Sequence, residues 1–149
     1  MARTVTREQD SPPFERATVS DAMHPELLTC PADAPLALVA EIMAAERVHC
    51  VIVEGTEGDR RGWAIVSDRD LMAAGVDGLR AGSAAGYAAT EFLTITPGET
   101  LARAAQMMAE HEISHLVVVG DASDRALGVL STLDVARAMV SGDGTAPEV

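Results

Sequence analysis

Two motifs with the same spacing place a hydroxyl three residues before a carboxylate. They are Ser67 with Asp70 and Ser131 with Asp134, and each follows a short apolar run that predicts a β-strand. A helix that begins at the serine offers free N–H groups to a phosphate. An aspartate one turn later could accept hydrogen bonds from both hydroxyls of a ribose. The same residue types also form a capping box, which closes a helix end without a ligand, and the spacing fits both interpretations.

A basic side chain lies inside the first motif. Arg69 stands between Asp68 and Asp70, where its guanidinium could bind a phosphate through two hydrogen bonds or neutralise its acidic neighbours. The second motif has Leu133 at this position. We therefore expect the two motifs to differ in their affinity for anions.

A third pattern matches a known metal motif. His111, Glu112 and His115 satisfy H-E-x-x-H, in which one helix carries both histidines of a zinc hydrolase. His115 opens a β-branched apolar run that predicts a strand, so the helix should end before it. We expect His111 at the surface and His115 at the edge of a cleft, and a zinc hydrolase is only a remote alternative. No other nucleophile or general-base pair suggests a catalytic residue, and we predict that the protein is not an enzyme.

Soft metal ligands are present without a metal-binding spacing. Cys30, His49 and Cys50 could gather around an ion only if the fold brought Cys30 near the later strand, and no C-x-x-C pattern supports this. Free thiols are commonly buried as small apolar groups. We expect no metal site, although the sequence leaves open whether these three residues bind a metal.

The charge balance excludes several classes of protein. The chain has 149 residues with 11 basic and 23 acidic side chains, a formal net charge of −12, and every basic residue is arginine. Without lysine, neither a Schiff-base enzyme nor a P-loop NTPase is possible. The acidic balance disfavours nucleic acids and anionic membranes as partners. No apolar run reaches the roughly 20 residues of a membrane span, and no secretory signal is evident, so a cytoplasmic location is expected.

The motifs belong to an internal repeat. Residues 42–53 align with 107–118 at a shift of 65 (107 against 42), and residues 63–71 align with 127–135 at a shift of 64 (127 against 63). We place the two repeats at residues 18–76 and 77–140. Flexible segments are expected at residues 1–17 and 141–149.

Each repeat carries the same predicted elements, in the order β-α-β-β-α. A short strand near Leu28 or Leu93 precedes a helix that begins at Leu36 or Leu101. A hairpin follows, with strands over 48–53 and 63–66 or over 115–119 and 127–130. The last helices should end near Ala74 and Val140, and the link over 75–86 should be loop-like at first and helical near Ala84. Two such units together bury more surface than one marginal unit of about 60 residues can bury alone.

The repeated unit resembles the cystathionine β-synthase (CBS) domain, and the tandem resembles a CBS-domain pair, or Bateman module. The resemblance covers residues 19–140. It rests on three motifs: Val19-x-Asp21-x-Met23, Ile65-Val66-Ser67-Asp68-Arg69-Asp70, and Gly128-Val129-Leu130-Ser131-x-x-Asp134. The second repeat departs from the pattern at its opening, where Ala85-Gly86-Tyr87-Ala88 lacks the acid and the methionine.

The resemblance implies an α/β fold of two pseudo-symmetric units and a regulatory role. Family members bind adenosine ligands such as AMP, ADP, ATP or S-adenosylmethionine, and none is a required cofactor. In that family the serine position contacts phosphate and the aspartate holds the ribose. The adenine packs on apolar residues and backbone at the strand that begins here near Val48 to Val51 or near Ile113 to Val117. The candidate nucleotide-binding residues are therefore Ser67, Arg69, Asp70, Ser131, Asp134, His49 and His115.

The resemblance also implies partners. We expect a homodimer that passes the ligand-bound state to an unknown regulated protein. The alternative within the same family is a ligand-free structural or protein-interaction module.

Overall fold

The computed structural model describes residues 13–24, 26–55, 62–89, 92–121 and 125–142 of the chain. Contacts between residues divide the chain into two compact units. Residues 27–92 form the first, which we call the middle unit. The second, which we call the terminal unit, combines the N-terminal segment up to Glu26 with the residues from Leu93 onward.

Helices and strands are interspersed along the chain, with a 3-10 turn at Phe14–Arg16 before the first helix. None of the described helices is long and apolar enough to cross a membrane. In chain order the elements are α1 (Val19–Ala22), β1 (Thr29–Pro31), α2 (Leu36–Glu46), β2 (Cys50–Glu54), β3 (Trp63–Ser67), α3 (Asp68–Ala81), α4 (Ala84–Tyr87), β4 (Thr94–Ile95), α5 (Leu101–His111), β5 (His115–Val119), β6 (Ala126–Ser131) and α6 (Thr132–Gly142).

The middle unit is a three-stranded sheet with helices packed against it. The strand order is β1-β2-β3, with β1 parallel to β2 and β2 antiparallel to β3. Val51, Val53 and Val66 of the sheet pack with Leu36 and Val39 of α2 in one apolar cluster. Valine fits a pleated surface buried against a helix, which explains why this β-branched run forms strands.

The terminal unit repeats this arrangement with the later elements. Its strand order is β4-β5-β6, again with one parallel and one antiparallel pairing. Leu116, Val118 and Leu130 of the sheet pack with Leu101 of α5 and with Val19 of α1. The predicted α/β class and the order β-α-β-β-α in each unit are confirmed.

The opening segment of the first repeat belongs to the terminal unit. Thr18, just before α1, pairs with Thr100 just before α5. His24, just after α1, pairs with Val129 of β6. The segment around α1 therefore extends the body of the second repeat.

The second repeat makes the reciprocal contribution to the middle unit. Ser83, just before α4, pairs with Pro35, and Ala89, just after α4, pairs with Ile65 of β3. The repeats thus exchange their opening segments. The predicted boundaries 18–76 and 77–140 remain a prediction about the repeat, because the compact units divide the chain elsewhere.

The first helix after the opening segment ends in the same way in both repeats. Arg47 after α2 and Glu112 after α5 are both left-handed, with φ of 56° and 52°. The next N–H then reaches back into the helix, from Val48 to the carbonyl of Met43 at 3.2 Å and from Ile113 to the carbonyl of Met108 at 3.0 Å. This ending satisfies carbonyls that the last helical turn leaves without partners. The matched ends confirm the 65-residue alignment of these segments (112 against 47).

The link between the repeats is more helical than predicted. Gly75 is non-helical, with φ 68° and ψ −174°, as expected for a helix that ends near Ala74, but the chain resumes a helical path and α3 continues to Ala81. The loop expected over the first part of 75–86 is therefore wrong, and the helix near Ala84 is confirmed. Within the segment 1–17 that we expect to be flexible, the structure describes residues 13–17, which include the 3-10 turn and the buried Ala17. Residues 1–12 and 143–149 lie outside the described residues.

Candidate functional site

The first Ser/Asp motif caps the N-terminus of α3. Asp70 Oδ2 accepts hydrogen bonds from the Ser67 backbone N–H at 2.8 Å and from the Ser67 hydroxyl at 3.0 Å. The Asp70 N–H donates to the Ser67 hydroxyl oxygen at 3.3 Å. This is a capping box, so the helix-closing interpretation of the motif is confirmed.

The second motif is built in the same way at the start of α6. The Ser131 N–H donates to Asp134 Oδ2 at 2.9 Å, and the Asp134 N–H donates to the Ser131 hydroxyl at 3.2 Å. In both motifs the described residues give the other carboxylate oxygen, Oδ1, no hydrogen bond. Capping therefore fixes Asp70 and Asp134 in place and leaves each with an oxygen that can accept a hydrogen bond from a ligand.

Strand register determines which residues accompany each serine. In the terminal unit, His115 of β5 lies directly opposite Ser131 of β6. In the middle unit, Cys50 of β2 lies directly opposite Ser67 of β3. Opposite residues of an antiparallel pair project from the same face of the sheet. The structure thus brings His115 together with Ser131, whereas the equivalent residue in the middle unit is a cysteine.

His49 and Arg69 lie at the start of α3 in different surroundings. His49 Nδ1 lies 2.8 Å from Asp68 Oδ2, and both side chains are about half exposed, at 56% and 45%. The Asp68 N–H also donates to the His49 carbonyl at 2.9 Å, which ties the start of α3 to the turn before β2. Arg69 is exposed and forms no ion pair with another described residue. Asp68 is therefore paired with His49, and Arg69 forms no ion pair with either of its acidic neighbours, Asp68 and Asp70.

A cavity of about 250 Å³ opens in the terminal unit beside Asp134. Its polar lining comes from Asp21 of α1 and from Asp134, Arg137 and Ser141 of α6, and its apolar lining consists of alanine side chains. Asp134, Arg137 and Ser141 recur every three or four residues, so they share one face of α6. The cavity therefore joins a predicted ribose-binding residue to two charged side chains outside the predicted set.

Asp21 and Arg137, the two charged side chains of the cavity outside the predicted set, differ in their hydrogen bonds. Asp21 Oδ2 accepts the Thr18 N–H at 2.8 Å and the Thr18 hydroxyl at 3.1 Å, and so caps α1. Arg137 is exposed and makes no hydrogen bond or ion pair with any residue that the structure describes. The three-residue spacing of Arg137 from Asp134 is visible in the sequence. The proximity of Asp21 depends on the exchanged opening segment, which no local pattern reveals.

The equivalent positions of the middle unit have different chemistry. Gly86 stands where the terminal unit has Asp21, and Tyr87 and Ala73 stand where it has Ala22 and Arg137. The Tyr87 ring lies so close to Gly82 that a Cβ added there would stand 2.5 Å from the Tyr87 Cε2 atom. The middle unit thus has an aromatic ring where the terminal unit has the small side chain of Ala22. The charges of Asp21 and Arg137 have no counterpart in it.

The H-E-x-x-H motif is divided between two elements. His111 is the last residue of α5, Glu112 is left-handed, and His115 begins β5. The predicted break before His115 is confirmed, so the two histidines do not share a helix face as the zinc-hydrolase motif requires.

The two cysteines are free and buried. Burial, followed by the negative charge of Asp68, raises the pKa of the Cys50 thiol to about 12. Burial, followed by the charge of Glu54, also raises the pKa of Cys30. Both thiols are therefore protonated at neutral pH. Among the described residues, no three histidine, cysteine or acidic side chains are grouped so that they could hold an ion.

The chain belongs to the CBS-domain family. The sequence model of the CBS domain matches it twice, at residues 19–77 and 84–141, which together span most of the chain. The tandem resemblance found in the repeat is therefore confirmed. A comparison with curated proteins finds no match.

Solved structures of CBS-domain proteins share the fold. The CBS domain protein PAE2072 from Pyrobaculum aerophilum, complexed with AMP, is 28% identical, with a TM-score of 0.69 over 83% of this chain and 95% of that one. The CBS-domain pair of protein MJ0100, in complex with 5′-methylthioadenosine and S-adenosyl-L-methionine, is 18% identical, with a TM-score of 0.69 over 81% and 94%. The hexameric CBS-CP12 protein from bloom-forming cyanobacteria is 17% identical, with a TM-score of 0.69 over 80% and 69%.

Proposed function

We propose that the chain is a regulatory CBS-domain pair that binds an adenosine ligand at Asp134. The observation that carries the proposal is the state of this carboxylate. One oxygen is held by the cap of α6, the other accepts no hydrogen bond from a described residue, and the side chain lines a cavity. An acceptor that is already fixed loses little conformational freedom when it binds the two hydroxyls of a ribose.

Relatives with the same fold support an adenosine ligand. PAE2072 is complexed with AMP, and the MJ0100 pair is in complex with 5′-methylthioadenosine and S-adenosyl-L-methionine. These compounds differ at the 5′ position and share the adenine and the two ribose hydroxyls. A carboxylate that binds those hydroxyls therefore suits every member of this ligand class.

The remaining candidate residues receive roles from their positions. In the terminal unit, Ser131 is the hydroxyl beside the ligand, and His115 lies on the same sheet face. In the middle unit, Asp70 and Ser67 form the equivalent site, with Arg69 and His49 at its edge. The Tyr87 ring and the missing charges make this second site different in affinity.

The regulatory output of the module requires a partner. We propose a homodimer without catalytic activity, in which ligand occupancy is read by a regulated protein. Exposed apolar side chains of the middle unit support association, namely Leu38 of α2 with Met72 and Val76 of α3. The alternative is a ligand-free interaction module, which the same exposed side chains would also serve.

Thermal unfolding with a panel of adenine compounds tests the proposal. AMP, ADP, ATP, 5′-methylthioadenosine or S-adenosylmethionine should raise the melting temperature of the whole chain by mass action. Asp134→Asn keeps an acceptor for the Ser131 N–H and removes the charge, so it should weaken binding about ten- to a hundredfold. Asp70→Asn is the matched change in the other unit. If no compound shifts the melting temperature at millimolar concentration, the ligand-free alternative replaces this function.

A further inference from the structure

We infer that the cavity beside Asp134 selects adenosine ligands with positive charge on their 5′ substituent over adenosine 5′-phosphates. S-adenosylmethionine represents the favoured class, with a sulfonium and an ammonium group beside one carboxylate. The inference rests on the proposed function and deepens it, because it states what the charged lining does to a ligand held by its ribose.

The lining has an excess of negative charge. Asp21 and Asp134 contribute two carboxylates, and Arg137 contributes one guanidinium. Both carboxylates are fixed through Oδ2 by the helix caps, so neither can turn away from the cavity without opening a cap. When Asp134 binds ribose hydroxyls, Asp21 remains as a negative charge beside the rest of the ligand.

This charge acts in opposite directions on the two ligand classes. A 5′-phosphate carries close to two negative charges at neutral pH, so Asp21 repels it even where Arg137 attracts it. A ligand with a sulfonium, an ammonium and a carboxylate finds a complement for each sign, with Asp21 for a cation and Arg137 for the carboxylate. Arg137 is available for this because it is paired with neither aspartate among the described residues.

The middle unit lacks the elements of this selection. Gly86 and Ala73 replace Asp21 and Arg137, and the Tyr87 ring lies against Gly82. Selection by charge is therefore a property of the terminal unit alone. Asp21 acts as a specificity-determining residue there and Arg137 as a residue that binds either acidic group.

Isothermal titration calorimetry of the full chain tests the inference. The probes are S-adenosylmethionine, AMP and 5′-methylthioadenosine, which has the same nucleoside without a charge. The wild type should bind S-adenosylmethionine at least about tenfold more tightly than AMP, because one charge-assisted hydrogen bond contributes a difference of about this size to the affinity. Asp21→Asn keeps an acceptor for the Thr18 N–H. This variant should bind S-adenosylmethionine several-fold more weakly and AMP more tightly, and its affinity for 5′-methylthioadenosine should be unchanged.

Two further variants separate electrostatic from structural effects. Arg137→Gln should weaken the binding of both charged ligands. Arg103→Gln removes an exposed charge of α5 outside the cavity and should change neither affinity. Tighter binding of AMP than of S-adenosylmethionine to the wild type would overturn the inference and leave the proposed function standing. The same follows if Asp21→Asn changes both affinities in one direction. Failure of all three probes to bind would instead reject the proposed function.

Discussion

Gly128 of β6 lies against the carbonyl oxygen of His24, and a Cβ at position 128 would stand 2.6 Å from that oxygen. The His24 N–H donates to the carbonyl of Val129, the residue that follows Gly128, at 3.0 Å. The missing side chain therefore lets the opening segment of the first repeat approach β6. This contact helps to hold Asp21 on the terminal unit, where it reaches the cavity.

Gly128→Ala should destabilise the protein. The added methyl group must displace backbone that is hydrogen-bonded to β6, and forcing extra volume into a packed site lowers the free energy of unfolding by about 1–3 kcal/mol. Urea denaturation of the variant and the wild type measures the difference. Gly98→Ala is the control, because a Cβ there meets nothing within 4 Å. Equal losses in the two variants would show that the close approach has no energetic role.

Gly75→Ala should destabilise for a different reason. A Cβ at this position meets no atom within 4 Å, but the backbone has φ 68° and ψ −174°, a conformation that is essentially restricted to glycine. We expect the free energy of unfolding to fall by about 1–3 kcal/mol. The same denaturation series, again beside Gly98→Ala, provides the measurement. A variant as stable as wild type would mean that the break in α3 does not require this conformation.

The Cys50 thiol should make stability depend on pH in the alkaline range. Its pKa is about 12 in the folded chain against 9.0 for an unperturbed thiol. The unfolded state therefore loses this proton first, and the free energy of unfolding should fall as pH rises from about 9 toward 12. The absence of lysine leaves few other side chains that titrate in this range.

The measurement compares wild type with Cys50→Ala in urea at several pH values above neutrality. The variant should start less stable, because a buried side chain has been shortened, and should then lose less stability with increasing pH. Cys30 titrates in both proteins and serves as a shared background. Identical pH slopes in the two proteins would contradict the assigned pKa.

Much of the fold follows from local pattern. The β-branched run after His115 predicts β5 with its observed bounds, and the alignment that equates Arg47 with Glu112 identifies two helix ends of the same conformation. Hydrophobic periodicity and helix-end chemistry act over a few residues, so a single sequence records them. The Ser/Asp spacing likewise predicts both capping boxes.

Long-range placement could not be predicted in this way. The pairing of His24 with Val129 joins residues that are far apart in the chain, and no local feature of either residue indicates its partner. For the same reason the sequence marks Asp21 only as part of an opening motif, although Asp21 lines a cavity with Asp134. Arg69 illustrates the opposite case, because its two acidic neighbours in sequence suggest pairing while Asp68 pairs with His49.

Direct calorimetric titration of the full chain with AMP and S-adenosylmethionine, for wild type and for Asp134→Asn, tests whether Asp134 holds the ligand. The wild type should show saturable binding of at least one of these ligands. The affinity should be about ten- to a hundredfold lower in Asp134→Asn. The ligand-free variant should still fold, with a slightly lower melting temperature, because the amide oxygen keeps the cap of α6 but the negative charge at the helix N-terminus is lost. Equal affinities in the two proteins, or no binding to the wild type, would contradict the assignment of Asp134 as the residue that holds the ligand.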